Sequence, residues 1–237
     1  MSAASEGRRP STPSPVAAAP PAAAGRPLLR DRAYGEIKGL ILSGEWAPGT
    51  FLSERRLAAH LGMSKTPVRA ALEGLEGEGL VTIAPQRGVL VRVQSLREIL
   101  DLFDMRLALE TFVVGRLAGR LGPAEAERLR ANLEAQAACV EAGDAPGLTA
   151  LDTQFHLLLC ELLGNREIAQ AMRPLRDRLH RIIAGIFTQN LNRPGDAYLE
   201  HAEIARSLVA GEGGRASEAM ERHIEWGRQA LVSSRSP

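Results

Sequence analysis

Between residues 30 and 43 the apolar positions Tyr34, Ile37, Leu40 and Ile41 recur at spacings of three and four, which predicts an amphipathic helix. Gly44, Pro48 and Gly49 end it. Ser53 reads as the N-cap of a short helix over 54–61 that stops at Gly62. Ser64 reads as the cap of a third helix, with Lys65, Thr66 and Pro67 in its first turn and Ala70, Leu72, Leu75 and Leu80 on its inner face and exit. Residues 81–83 and 89–93 are short β-type runs joined by a turn over 84–88 with a basic tip. Helix, helix, helix, hairpin is the order of a winged helix-turn-helix, and Gly62-Met63-Ser64 supplies its tight turn.

After Gln94-Ser95 every segment with a clear period is helical. Helices are predicted over about 97–121, 123–142, 146–163, 166–190, 197–210 and 215–232, with Pro174 kinking or splitting the fourth. Gly122-Pro123, Gly143, Gly164-Asn165, Arg193-Pro194-Gly195 and Gly211–Gly214 read as the breaks. The expected fold class is therefore mainly α: a winged helix-turn-helix over 29–94 and an all-helical bundle over 95–237. Residues 1–28, rich in Ala and Pro, read as a disordered tail whose Arg8, Arg9 and Arg26 could touch phosphates but are more simply idle.

Charge narrows the partners. Lys plus Arg is 29 and Asp plus Glu is 28, so a nucleic-acid surface has to be local. Cys139 and Cys160 sit apart in apolar stretches and read as small buried hydrophobes rather than as a disulfide or a thiolate site. There is no apolar run of about 18 residues and no compact signal-type apolar region, so a cytoplasmic protein with no membrane contact is expected.

The local basic surface is found at the winged helix. Arg55 opens the second helix, and Lys65, Thr66 and Arg69 occupy the first turns of the third, the end that enters a major groove. Lys65 and Arg69, four apart, share a face. An Arg can pair bidentately with guanine and a Thr methyl can pack on thymine. Arg87 and Gly88 suit a wing tip lying in a narrow groove.

The ordered set running from Tyr34, Ile37 and Ile41 through Leu52-Ser53-Glu54-Arg55 and Leu61-Gly62-Met63-Ser64-Lys65-Thr66-Pro67-Val68-Arg69 to Gly79-Leu80-Val81 and Arg87-Gly88 resembles the GntR family of bacterial transcription regulators. The resemblance implies that Arg55, Lys65, Thr66, Arg69, Arg87 and Gly88 contact operator DNA. Lys65 departs from the Arg frequent there, which implies a phosphate contact rather than a guanidinium fork. The helical remainder is similar to the FCD-type effector domain of the FadR-like branch, and its length suits the smaller VanR-like variant.

A second constellation lies in the helical part. Asp152 and His156 are four apart on one helix face, and His201 and His223 lie on two later helices. One carboxylate and three imidazoles suit a borderline divalent ion such as Zn, Ni or Mn, although polar cavity lining explains the residues about as well. The FCD resemblance implies the metal, since those four positions match a metal site of such domains. Arg106 is either half of a surface i,i+4 pair with Glu110 or, as the resemblance implies, an effector-carboxylate ligand. His60 and His180 read as ordinary polar residues, Asn165 as a helix C-terminal residue, and Phe155 and Phe187 as cavity wall.

The function expected is a DNA-binding transcriptional regulator, a homodimer on a short inverted repeat, whose operator affinity is set by a small organic acid bound at a metal-containing cavity. Repression relieved by effector is what the resemblance implies. A hydrolase using the same Asp/His site is the main alternative, weakened by the absence of H-E-x-x-H. An acyl-CoA sensor without metal and a passive DNA-bending module are the others.

Overall fold

The computed structural model describes residues 28–84, 87–190 and 192–233; the tail predicted over 1–28 lies outside them apart from Leu28. The described chain starts with helix α1 (Leu29–Leu42), a two-residue strand β1 (Phe51–Leu52), α2 (Glu54–His60) and α3 (Lys65–Gly77). Strands β2 (Val81–Ala84) and β3 (Gly88–Val91) follow. Ser53 caps α2 by accepting from the Arg56 N–H, as its position predicts. Ser64 stands at the start of α3 in extended conformation, but its side chain accepts no capping bond. The interiors of α1, α2 and α3 meet the inner face of the sheet through Ile37, Ile41, Leu57, Val68, Leu72, Leu75, Val89 and Val91, which form one apolar core.

The sheet holds a strand that the pattern of apolar residues does not announce. Its order is β1-β3-β2, with β1 pairing antiparallel to β3 through Phe51 opposite Leu90 and Leu52 opposite Val89. Two residues are too few to show alternation, so β1 is visible only through its partner.

Six helices complete the fold: α4 (Leu96–Leu117), α5 (Pro123–Ala142), α6 (Ala145–Leu163), α7 (Arg166–Gln189), α8 (Arg193–Val209) and α9 (Gly213–Ser233). Ser95 and Glu98 form a full capping box at the start of α4. That helix ends at Leu117 rather than near 121, because Ala118 leaves the helical conformation and Gly119 follows at φ +72°. Asn165 is the N-cap of α7, accepting from the N–H groups of Glu167 and Ile168, not a helix C-terminal residue. Helix α7 runs through Pro174 unsplit; Met172, Leu175 and Leu179 anchor both sides of the proline in one core. Helix α8 starts at Arg193, four residues earlier than predicted, since Pro194 fits the first turn, where no N–H is needed.

The two cores are joined along α7. Asp177 of α7 takes Lys38 of α1 at 2.5 Å, and Lys38 also reaches Glu78 at 3.0 Å. Arg181 donates to the Trp46 carbonyl at 3.5 Å.

Candidate functional site

The six helices converge on a cluster of buried polar side chains. Asp152 and His156 come from α6, His201 from α8 and His223 from α9, and all four are at most 5% exposed. Their potential ligand atoms all lie within 4.8 Å of one another. Asp152 Oδ1 is 3.7 Å from both His156 Nε2 and His201 Nε2, and His201 Nε2 is 3.4 Å from His223 Nε2.

The outward nitrogen of each imidazole faces a separate partner. His156 Nδ1 lies against Glu110 Oε2 of α4 without a hydrogen bond between them. His201 Nδ1 donates to Gln136 Oε1 of α5 at 2.8 Å, and Gln136 in turn donates to Asn132 at 2.6 Å, which fixes its amide. His223 Nδ1 donates to Glu200 Oε2 at 2.7 Å. Acceptors on Nδ1 of His201 and His223 put the proton there, and Arg106 donates to His156 Nε2, so Nε2 is the acceptor nitrogen of all three rings, the tautomer a metal ligand requires. Burial, reinforced by neighbouring imidazoles, pushes His201 and His223 well below the ordinary histidine value, so both are neutral near pH 7.

The carboxylate is set for the same purpose. Burial opposes its charge, but the Arg176 guanidinium beside it outweighs burial and holds the Asp152 carboxyl well below the usual range. Arg176 Nη2 occupies Oδ2, so Oδ1 is left for the cluster. One carboxylate oxygen and three imidazole Nε2 atoms are a donor set that suits a divalent ion of the Zn, Ni or Mn kind.

Arg106 is not a surface residue. Its Nε donates to Glu110 Oε1 at 2.8 Å and its Nη2 to His156 Nε2 at 3.2 Å, all within the core. The i,i+4 pair is real but buried, and it is part of the cluster. Burial opposes the Glu110 charge too, yet Arg106 and His156 hold its carboxyl far below normal. Phe155 stacks on His201 with centroids 4.3 Å apart, as a wall residue should. Phe187 instead lines a cavity of about 650 Å³ with Leu148, Pro194 and Leu199, beginning one turn before Asp152 on α6. His180 contacts Thr153 and His60 packs on Trp46, both outside the cluster.

Glu110, Gln136, Arg176 and Glu200 are members of this site that the spacing argument does not find. Arg176 stands among Arg173, Arg178 and Arg181, and no period says which one turns inward. Gln136 is fully buried on a helix whose only other buried residue is Leu129, which hides its role.

At the other end of the molecule, Arg55, Lys65, Thr66, Arg69 and Arg87 are all exposed on α2, the first turns of α3 and the hairpin tip. Arg69 is steadied by Glu54 at 3.5 Å. Gly88 has a structural reason of its own: at φ +135° an added Cβ would stand 2.5 Å from the Leu52 carbonyl and 2.9 Å from the Phe51 ring.

Comparison with known proteins agrees with both ends. Residues 29–91 match the model of bacterial regulatory proteins of the gntR family, and residues 101–225 match the FCD domain. The chain belongs to the GntR family. Within that family it is 32% identical over 200 residues to an HTH-type transcriptional regulator of Streptomyces ambofaciens, spanning 84% of this chain and 83% of that one. It is 28% identical over 179 residues to the transcriptional repressor RspR of Escherichia coli K12, spanning 76% and 78%. The fold is shared with E. coli McbR/YncC at TM-score 0.78 and 20% identity, covering 88% of this chain and 99% of that one. This GntR chain is thus a DNA-binding transcriptional regulator with an FCD domain, and its relatives are regulators rather than hydrolases. Among the described residues no helix is long and apolar enough to cross a membrane.

Proposed function

We propose that this GntR regulator is a homodimeric repressor that reads a short inverted repeat and is released by a small carboxylic acid bound at a divalent ion. The observation that carries this reading is the convergence of Asp152 Oδ1 and three Nε2 atoms, with Nδ1 of His201 and His223 held from behind by Gln136 and Glu200. Asp152, His156, His201 and His223 would hold the ion. When bound, it supplies a Lewis-acidic point with coordination positions left for an acid. Arg106, once it leaves His156 Nε2, has a guanidinium edge to offer the same ligand.

The division of labour follows the two cores: residues 29–94 bind DNA, and 95–237 bind effector and dimerise. Arg69 supplies base readout, while Lys65, Thr66, Arg55 and the wing residues Arg87 and Gly88 supply backbone and groove contacts. Met105 and Phe112, 47% and 51% exposed on the outer face of α4, supply an apolar stripe for a second copy of the chain. RspR, a repressor by name, supports the sign of regulation.

The test is the metal content of the purified protein, wild type beside His201→Ala. About one equivalent of Zn, Ni or Mn per chain, lost in the variant, is the expected result. Absence of metal in the wild type after divalent supplementation overturns the metal and turns the search to larger ligands.

A further inference from the structure

We propose that Arg176 is a second anion-binding point beside the cluster and that the effector is a dianion bearing two carboxylates. The inference rests on the reading that an organic acid enters this site.

Arg176 is wholly buried on α7. Its Nη2 donates to Asp152 Oδ2, while Nε and Nη1 have no partner at all. The other buried arginines differ. Arg193 places both terminal nitrogens on Glu200 at 2.7 Å and lies 4.0 Å over the Trp226 ring. Arg106 is held by Glu110 and His156. Among the described residues Arg176 is the only arginine with orphaned buried nitrogens. Two unpaired donor nitrogens on a cation sealed from solvent are costly, and such groups are normally satisfied by an acceptor.

Charge says which kind of acceptor. Arg106 and Arg176 balance Glu110 and Asp152, and Arg193 balances Glu200. With the imidazoles neutral, as ligation requires, the side chains of the site add no net charge of their own. A divalent ion then leaves two positive charges among buried side chains, which burial penalises heavily. An acid carrying two negative charges restores neutrality. One carboxylate takes the ion's remaining positions and the other meets the orphaned donors of Arg176. A monocarboxylate leaves both a charge and those donors uncompensated, and a water molecule supplies an acceptor but no charge.

The experiment is calorimetric titration of the zinc-loaded full chain at pH 7.5 with three matched pairs: malonate and propionate, succinate and butyrate, glutarate and pentanoate. At least one dicarboxylate is expected to bind about 10-fold or more tighter than its partner, the worth of a charge-assisted hydrogen bond. In Arg176→Gln, still holding one zinc per chain, the advantage falls to within about 3-fold. Should that variant not fold, Arg176→Lys carries the test, because it keeps the charge but loses the orphaned pair; there the advantage drops at least about 3-fold. Equal binding within each pair, or an advantage that survives the substitution, overturns the role of Arg176 and leaves the acid-effector reading standing. If none of the six acids binds, that reading falls and this inference falls with it.

Discussion

Arg176 and Asp177, neighbours in sequence, are anchored at different ends of the molecule: Arg176 to Asp152 in the buried cluster, Asp177 to Lys38 of α1 beside the DNA-reading helices. Helix α7 therefore ties the buried cluster to the winged helix through two adjacent residues. Allosteric coupling requires an element that both sites bias, and α7 touches both.

Breaking the second anchor should loosen the joint without touching the first. Lys38→Met is expected to lower the stability of the winged-helix unit by about 1–2 kcal/mol, since the pair is mostly buried and charge-assisted. Metal content should not change. Burial favours the neutral amine of Lys38, but Asp177, Tyr34 and Glu78 outweigh it and raise its pKa above the ordinary value. A raised lysine contributes fully below its unfolded value near 10.5 and loses its contribution as pH climbs through the higher folded one. The difference between wild type and variant in thermal unfolding should accordingly stay constant from pH 6 to 9.

Gln136 touches no proposed ligand atom, yet it fixes the proton on His201 Nδ1. Gln136→Leu should weaken zinc binding about 10- to 100-fold in competition with a chromophoric chelator, leaving the stoichiometry at one. Unchanged affinity would show that Phe155 stacking alone orients the ring.

The exposed residues of α3 separate two kinds of DNA contact. Arg69→Ala should abolish discrimination between operator and random duplex. Lys65→Ala should weaken binding to both and reduce the slope of log affinity against log salt by about 1. Fluorescence anisotropy across a salt series distinguishes them.

Gly88→Ala removes no charge and adds one methyl group. With the Leu52 carbonyl and the Phe51 ring in the way, and φ at +135°, it should cost about 1–3 kcal/mol and displace the wing. Urea unfolding reports the first effect. Operator affinity falling with it would place the wing in the interface.

Phe112→Asp puts a charge on the exposed apolar stripe that Phe112 forms with Met105 on α4. Sedimentation at micromolar concentration should show a monomer that retains its metal and its helix content; a persistent dimer would move the interface elsewhere.

Most of the architecture was legible because helices of three or more turns repeat their period often enough to be seen. The exceptions are short or ambiguous. β1 has two residues, and the start of α8 was hidden by Arg193-Pro194-Gly195, which punctuates a loop as readily as a helix start. Asn165 reads as the end of one helix but caps the next, because Gly164 ends one element where Asn165 opens another. The inward-facing quartet was readable from its residue types and spacing together with the family pattern. Its supporting shell was not, since Glu110, Gln136, Arg176 and Glu200 differ from surface residues only in where tertiary packing turns them.

The residues around the cluster come from α4, α5, α6, α7, α8 and α9, so every helix of the bundle contributes to one small volume. An ion bound there by the native state more tightly than by the unfolded chain would stabilise the fold by an amount that rises with the logarithm of its free concentration above the dissociation constant. A shift of 1–2 kcal/mol is enough to change protein abundance several-fold in a cell. The number of regulator molecules, as well as their grip on DNA, would then follow the supply of metal.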